Sequence, residues 1–301
     1  MHLAEGILPA EWAAMWAVPA VAGTALGLRK VRKRAENNPS YKPLLGLMAA
    51  AVFAISLMPI PVPVAGSVSH PVGTPLAAVL VGPLAAVLLA ALSLLFQALF
   101  FAHGGITTLG ANVVSMGIVG SFVGFSVFWA ARRTGRSLFT AGLLAGFIGD
   151  MAVYAVTATE LGLGLFPFAE AGRASGTMFL AFLPTQLPLA VLEGVVTGGI
   201  LRSIFELRPD VAQMLKLTPK EAVAQQRRPT RRDRARGWWG EAGRPLRVFA
   251  GASAAIGLLV LGWGMIWAIA RSTGRWVGLD KGIMEATAEQ AGRVAWDPFL
   301  N

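Results

Sequence analysis

Cysteine is absent from this chain of 301 residues, and charged residues are scarce. Without cysteine there is no disulfide, no thiolate metal ligand and no cysteine nucleophile, which leaves amine, imidazole, carboxylate and thioether groups as candidate ligands. Charged residues make up 14% of the chain and hydrophobic residues 55%. This polar fraction is too small to cover a soluble globule of that length, so the composition predicts a polytopic membrane protein.

Motifs of common catalytic machinery are missing as well. The sequence has no GxxxxGK[ST] phosphate loop, no HExxH zinc motif and no GxGxxG between a strand and a helix. The chain is therefore predicted not to be an enzyme, and not to hydrolyse ATP through a phosphate loop. An enzymatic alternative would have to use carboxylates such as Glu160 and Glu170, and it is weaker than a transport function.

The net charge of +10 indicates membrane topology rather than a nucleic acid partner. Lys and Arg lie between apolar runs, where positive charge marks the cytoplasmic side of a membrane. The basic cluster Arg29–Arg34 is therefore predicted to be cytoplasmic, which places Met1 and His70 outside. The start of the chain has no basic region typical of a cleaved signal peptide, so Met1 is expected to remain in the mature protein.

Apolar runs long enough to cross about 30 Å of hydrocarbon predict an all-α, polytopic membrane helical bundle. Single spans are predicted near residues 10–28, 43–62, 109–130, 138–158, 178–204 and 247–270. Gly82-Pro83 interrupts the apolar stretch 73–102, and a helix break is favoured there. Two short passes are predicted rather than one, because a single pass would place the later arginine clusters outside the cell. The result is about seven transmembrane segments, plus one C-terminal transmembrane helix, with His103 on the outer side.

The chain divides into three regions by composition. Residues 1–206 are the predicted membrane domain, 207–245 a basic cytoplasmic linker, and 246–301 a segment with one transmembrane helix and an extracytoplasmic tail. The linker run RRPTRRDRARGWW is interpreted as a topology anchor with its tryptophans in the interface, and attraction to anionic lipid headgroups is the weaker alternative.

Polar side chains within apolar spans need partners, because each is costly to bury alone. For most of them a hydrogen bond between helices is the simplest explanation, and Asn112 is either a helix cap or a residue that orients an imidazole. The candidates are Gln97, Asn112, Asp150 and Glu193. Glycines at small-xxx-small spacing predict close helix contacts at the pairs Gly23/Gly27, Gly120/Gly124 and Gly142/Gly146.

The first two residues, Met1 and His2, form a ready chelate for a divalent cation. The α-amine, the amide nitrogen of His2 and its imidazole can bind one ion through small fused rings, which leaves one position of a square open. The imidazole of His70, in PVAGSVSHPVGTP, can fill that position. Nickel and copper favour such nitrogen-rich square sites and cobalt accepts them, whereas a histidine in a loop is often only solvated or hydrogen-bonded.

Three motifs in the same order resemble the CbiM/NikM substrate-specific components of energy-coupling-factor cobalt and nickel transporters. The opening MHLAEGILP is similar to that family's MHIPEGYL-type start, and GSVSHPVGTPLAAVLVGP and FFAHGGITTLGAN look like its internal motifs. The resemblance covers about residues 1–206 and implies that Met1, His2 and His70 hold Ni²⁺ or Co²⁺ as the transported substrate. His103, Asn112 and Gln97 are candidates for the entry path or for supporting the ligands.

The segment from about residue 246 resembles the accessory component CbiN/NikN, and GLDKGIMEATAEQAG is similar to its extracytoplasmic part. No second apolar span follows, so this fused segment looks abbreviated. The resemblance implies a CbiQ/NikQ-like transmembrane coupling protein and CbiO/NikO-like cytoplasmic ATPases as partners in the cell membrane. The alternative is a membrane scaffold or assembly subunit whose histidines are incidental.

Overall fold

A computed structural model describes residues 2–38, 41–57, 60–62, 67–101 and 103–207. Met1 lies outside these ranges. So do the predicted linker and C-terminal segment beyond Leu207, with their arginine run and last transmembrane helix.

The described chain is a bundle of helices, as predicted. The helices are α1 Ala10–Asn37, α2 Tyr41–Leu57, α3 Thr74–Val81, α4 Pro83–Phe100, α5 Leu109–Asn112, α6 Gly120–Arg133, α7 Leu138–Leu165 and α8 Phe168–Leu207. The π-helical segment Val113–Val119 joins α5 to α6. A small antiparallel hairpin of β1, Ile60–Val62, and β2, Ser67–Ser69, adds a feature that the sequence did not predict.

Within the described ranges, four helices are long and apolar enough to cross a membrane. They are Pro83–Phe100, Leu109–Arg133, Leu138–Leu165 and Phe168–Leu207. Helix α2 is apolar but has only 17 residues, and α1 has 28 residues with its basic cluster in the C-terminal half. The helices therefore follow the predicted spans, although α1 and α8 extend well past the predicted boundaries.

The stretch 73–102 contains two helices that run in opposite directions. Gly82, with φ +96°, separates them in a backbone conformation that favours glycine, and Pro83 begins α4. The carbonyl of Val81 accepts hydrogen bonds from Arg34 and Tyr41, so α3 ends near the C-terminus of α1. Helix α4 then returns the chain to His103, beside His2. The first pass is short because α3 has only eight residues, about 12 Å of helix.

The predicted glycine pairs lie where helices approach closely. Gly142 and Gly146 of α7 face Gly198 and Gly194 of α8, backbone against backbone. The other two pairs also lie at close contacts, which involve side chains as well as backbone: Gly27 packs against Leu84 and Leu88 of α4, Gly23 against Ile118 of the π-helical segment, and Gly120 and Gly124 against Thr74 and Pro75 of α3. These contacts lie within this chain, so the glycine pairs allow close packing between helices of the same protein.

Two adjacent glycines of α8 provide a matched test of this packing. A methyl group on Gly198 would collide with the carbonyl oxygen of Phe139, whereas one on Gly199 would meet no described atom within 4 Å. Gly198→Ala should therefore destabilise the bundle by about 1–3 kcal/mol, since overpacking forces backbone shifts. Gly199→Ala should be neutral or slightly stabilising. Thermal unfolding in detergent compares the two, and equal melting temperatures would contradict the close contact.

Candidate metal centre

The three histidines of the chain come together in one cluster. Each offers a ring nitrogen, and these nitrogens lie within 4.8 Å of one another. The ring centroids are separated by 4.3 Å for His2 and His103, 4.6 Å for His2 and His70, and 5.0 Å for His70 and His103. His2 and His70 are buried and His103 is partly exposed. Residues from three distant parts of the sequence thus form one nitrogen-rich site.

The pair His2 and His70 has the spacing of two ligands on one ion. Nδ1 of His2 and Nε2 of His70 lie 2.9 Å apart. Two nitrogens bound to one ion at about 2.0–2.1 Å and at a right angle are also about 2.9 Å apart. Nδ1 is the ring nitrogen nearer to the backbone, which is the one that closes a small chelate ring with the His2 amide. The arrangement therefore suits a square nitrogen set.

Burial keeps the three imidazoles neutral at physiological pH. Burial lowers the pKa of His2 and of His70 well below 6.5. Positive charge on nearby titratable groups, including His103, lowers both pKa values further. Burial also lowers the pKa of His103 to about 4. A metal ion binds only the deprotonated ring. At pH values above these lowered pKa values, protons therefore compete little with a metal ion for the ring nitrogens.

The N-terminal segment is fixed in place through the backbone of Leu3. Its N–H donates to Oδ1 of Asn112 at 2.8 Å, and Nδ2 of Asn112 donates to its carbonyl at 3.1 Å. Thr108 Oγ1 donates to the same carbonyl at 2.7 Å. Asn112 thus holds the main chain next to His2. The hydrogen bonds of its side chain go to Leu3 and Thr108 rather than to an imidazole, and it makes no helix-cap hydrogen bond.

Apolar packing supports these hydrogen bonds. Leu3, Ile7 and Leu8 are buried in a cluster with side chains of α7 and α8, including Tyr154 and Phe182. Burial of three such side chains stabilises the folded protein by several kcal/mol, at about 1.5–3 kcal/mol for each side chain. The N-terminal segment is therefore an integral part of the bundle core.

Glu5 ties the same segment to the loop that carries His103. Its carboxylate accepts hydrogen bonds from the backbone N–H groups of Ile106 and Thr107, and Gly6 N donates to Thr107 Oγ1 at 3.2 Å. Gly105 packs directly against the Glu5 backbone, where a side chain would collide. The sequence reasoning missed Glu5 and Thr108. Their only signal was that they lie inside the first and third motifs.

The segment after His70 is held by Glu193 of α8. The carboxylate of Glu193 accepts from Val72 N at 2.7 Å and from Gly73 N at 2.9 Å. The sequence indicated only that this intramembrane acid needs donors, and a hydrogen bond between helices was the expected answer. The donors are instead backbone groups of the His70 segment. Asp150 of α7 is fully buried beside Glu193.

Gln97 supports the site from α4. Its Nε2 donates to Ser56 at 2.7 Å and to Ser93 at 3.0 Å, which fixes the amide in the neighbourhood of His2. The backbone carbonyl of Gln97 also accepts a hydrogen bond from the backbone N–H of His103 at 3.2 Å. Gln97 is therefore in contact with two of the three histidine positions.

The carboxylates of the enzymatic alternative are in different environments. Glu160 is fully buried in α7, and Glu170 is exposed at the start of α8. One buried and one exposed carboxylate do not form the shared, solvent-accessible pair that hydrolytic acid and base catalysis requires.

Comparison with known proteins shows which family the chain resembles. The family CbiM, described as the cobalt uptake substrate-specific transmembrane region, matches residues 2–211. A cobalt transport protein CbiM of Sorangium cellulosum is 53% identical over 222 residues, covering 73% of this chain and 99% of that protein. A cobalt transport protein CbiM of Geobacter sulfurreducens is 43% identical over 306 residues, covering 100% of this chain and 81% of that protein.

Two solved structures are similar in fold and in sequence. A transition metal transporter aligns with a TM-score of 0.60 and 28% identity, covering 73% of this chain and 100% of the other. A truncated transition metal transporter aligns with a TM-score of 0.59 and 29% identity, covering 68% and 99%. With a family match across two thirds of its length and relatives above 40% identity, the chain belongs to the CbiM family of substrate-specific membrane components of cobalt uptake.

Proposed function

We propose that this protein is the substrate-binding membrane component of an ATP-driven nickel or cobalt uptake transporter. The transported substrate, Co²⁺ or Ni²⁺, binds the α-amine of Met1, the amide nitrogen and imidazole of His2, and the imidazole of His70. The observation that carries the proposal is the 2.9 Å separation of His2 Nδ1 and His70 Nε2 in a buried cluster.

The donor set favours late first-row divalent ions. Amine, deprotonated amide and imidazole nitrogens suit cobalt, nickel and copper, and affinity rises in that order, so selectivity between them depends on geometry and supply. The names of the relatives favour cobalt as the substrate. His103 lies next to this set, where it can guide an ion into the site or bind it on an axial position.

Energy and release require partners. The sequence contains no phosphate loop, so ATP hydrolysis is assigned to separate cytoplasmic ATPases of the CbiO/NikO kind, coupled through a CbiQ/NikQ-like membrane protein. Residues 246–301 act as a fused CbiN/NikN-like accessory segment, and the Geobacter sulfurreducens relative aligns over the whole of this chain.

A scaffold or assembly role is the competing function. It leaves unexplained why three histidines from separate loops, the only three in the chain, meet in a buried cluster. It also gives no reason for a chain terminus that is held by hydrogen bonds in the bundle core.

Substitution of each histidine tests the ligand set. His2→Ala and His70→Ala should each abolish retained nickel or cobalt, because each removes a nitrogen of the square set. His103→Ala should be milder, because the remaining four nitrogens complete the square without it. The measurement is metal content after washing purified protein, with detergent-solubilised yield as the folding control. Equal losses for His103→Ala and His70→Ala would make His103 an equatorial ligand.

The chelate requires that the amine, amide and imidazole be contiguous. One leucine inserted between Met1 and His2 keeps every side chain but moves the amine out of its ring, so metal uptake should be lost. Acetylation of Met1 should act in the same way, while a tag at Asn301 should be tolerated. The assay is cobalt and nickel uptake by cells, normalised to membrane expression. Undiminished uptake by the extended form would remove the N-terminal amine from the site.

Topology is testable because the chain has no native cysteine. We place the N-terminus, His70 and His103 outside and the basic residues Arg32, Arg133 and Arg231 inside. Single cysteines at the outer positions should react with an impermeant thiol reagent in intact cells, and those at the inner positions only after lysis. Labelling of position 133 but not position 70 in intact cells would reverse this orientation.

A further inference from the structure

Glu193 is a buried acid whose contacts lead directly to the metal centre. Its side chain is 3% exposed, and both of its carboxylate oxygens accept backbone hydrogen bonds from consecutive residues, Val72 and Gly73. These residues follow His70 by two and three positions. Glu193 itself lies on α8, 120 residues further along the chain from Gly73.

We propose that Glu193 is the positioning residue for His70, and that it sets metal affinity by fixing the backbone of residues 70–73. This inference rests on the proposed function, since it concerns a ligand of the same site. The segment is buried, and Val72 is fully inaccessible. Its N–H groups have no strand or helix partner there, so buried acceptors are needed to compensate their lost hydration.

A carboxylate fits this requirement better than any other side chain. It offers two acceptor oxygens and no donor, and its bonds to N–H groups are strengthened by its charge. The two N–H groups lie just before helix α3, whose N-terminus carries a partial positive charge that also favours an anion. Glutamine has the same shape but offers one oxygen and an NH₂ group, which would face an N–H donor.

The adjacent backbone geometry makes the segment sensitive to this anchor. Gly73 packs against the side chain of Ile55 and has φ +72°, a left-handed backbone conformation that residues other than glycine rarely adopt. Pro71 has no N–H to donate, so Val72 and Gly73 are the first residues after His70 whose N–H groups can be anchored. The β1–β2 pairing reaches Ser69 on the other side of His70, and the two bonds to Glu193 anchor the backbone that follows it.

The test compares Glu193→Gln with Glu160→Gln in the full-length protein. Both substitutions replace the carboxyl group of a buried glutamate by an amide in neighbouring helices, but the Glu160 carboxyl makes no hydrogen bond to the His70 segment in the described structure. Titration with Co²⁺ and Cu²⁺ should show that Glu193→Gln weakens binding roughly 10- to 100-fold, the usual effect of removing a residue that orients a metal ligand. Glu160→Gln should bind like the wild type.

The visible spectrum of bound Cu²⁺ separates positioning from general destabilisation. If His70 is displaced, a weaker donor replaces its imidazole and the d–d band of Glu193→Gln moves to longer wavelength. An unchanged band with reduced occupancy, or equal affinities for the two glutamine variants, would overturn the proposal. Failure of the wild type to bind either ion would instead contradict the proposed function.

Glu193→Asp covers the case in which Glu193→Gln does not fold. Aspartate keeps both acceptors but is one methylene shorter, so it should draw residues 70–73 toward α8, shift the band and weaken binding. Wild-type affinity together with a wild-type band in Glu193→Asp would show that the position of this carboxylate does not control His70.

Discussion

The hydrogen-bonded docking of the N-terminal segment in the bundle is the interaction on which the arrangement of the histidine cluster depends. In this protein the backbone of Leu3 is bound by Asn112 and Thr108, and its side chain is buried between α7 and α8. These contacts bring His2 within 2.9 Å of a histidine 68 residues away. The N-terminal segment thus joins the histidine cluster, the His103 loop and the bundle core.

Helix α8 is in contact with both ligand-bearing segments. Met178 and Phe182 pack in the cluster that buries Leu3, while Glu193 binds the backbone after His70. Pro184 and Pro188 lie between these two regions and interrupt the helical hydrogen bonds there. Helix α8 therefore links the segment that carries His2 to the segment that carries His70.

The sequence predicted the helices because these depend on local signals. Apolar runs, the Gly82-Pro83 break and the glycine pairs each correspond to a feature of the bundle. The supporting contacts were not predictable in the same way. Glu193 was recognised as a costly buried acid, but nothing local indicates that its donors lie 120 residues earlier. The β1–β2 hairpin was missed because three-residue strands carry almost no periodicity.

The central claim is that one ion is held between the N-terminal residues and the His70 segment by nitrogen ligands. Anomalous diffraction from crystals grown with cobalt or nickel tests it most directly, since it gives the identity and the position of the ion together. The account predicts a single peak about 2.0–2.1 Å from both His2 Nδ1 and His70 Nε2, with the Met1 amine in the same plane. A peak bound to carboxylates, or one that contacts the histidines but not the amine, would contradict it.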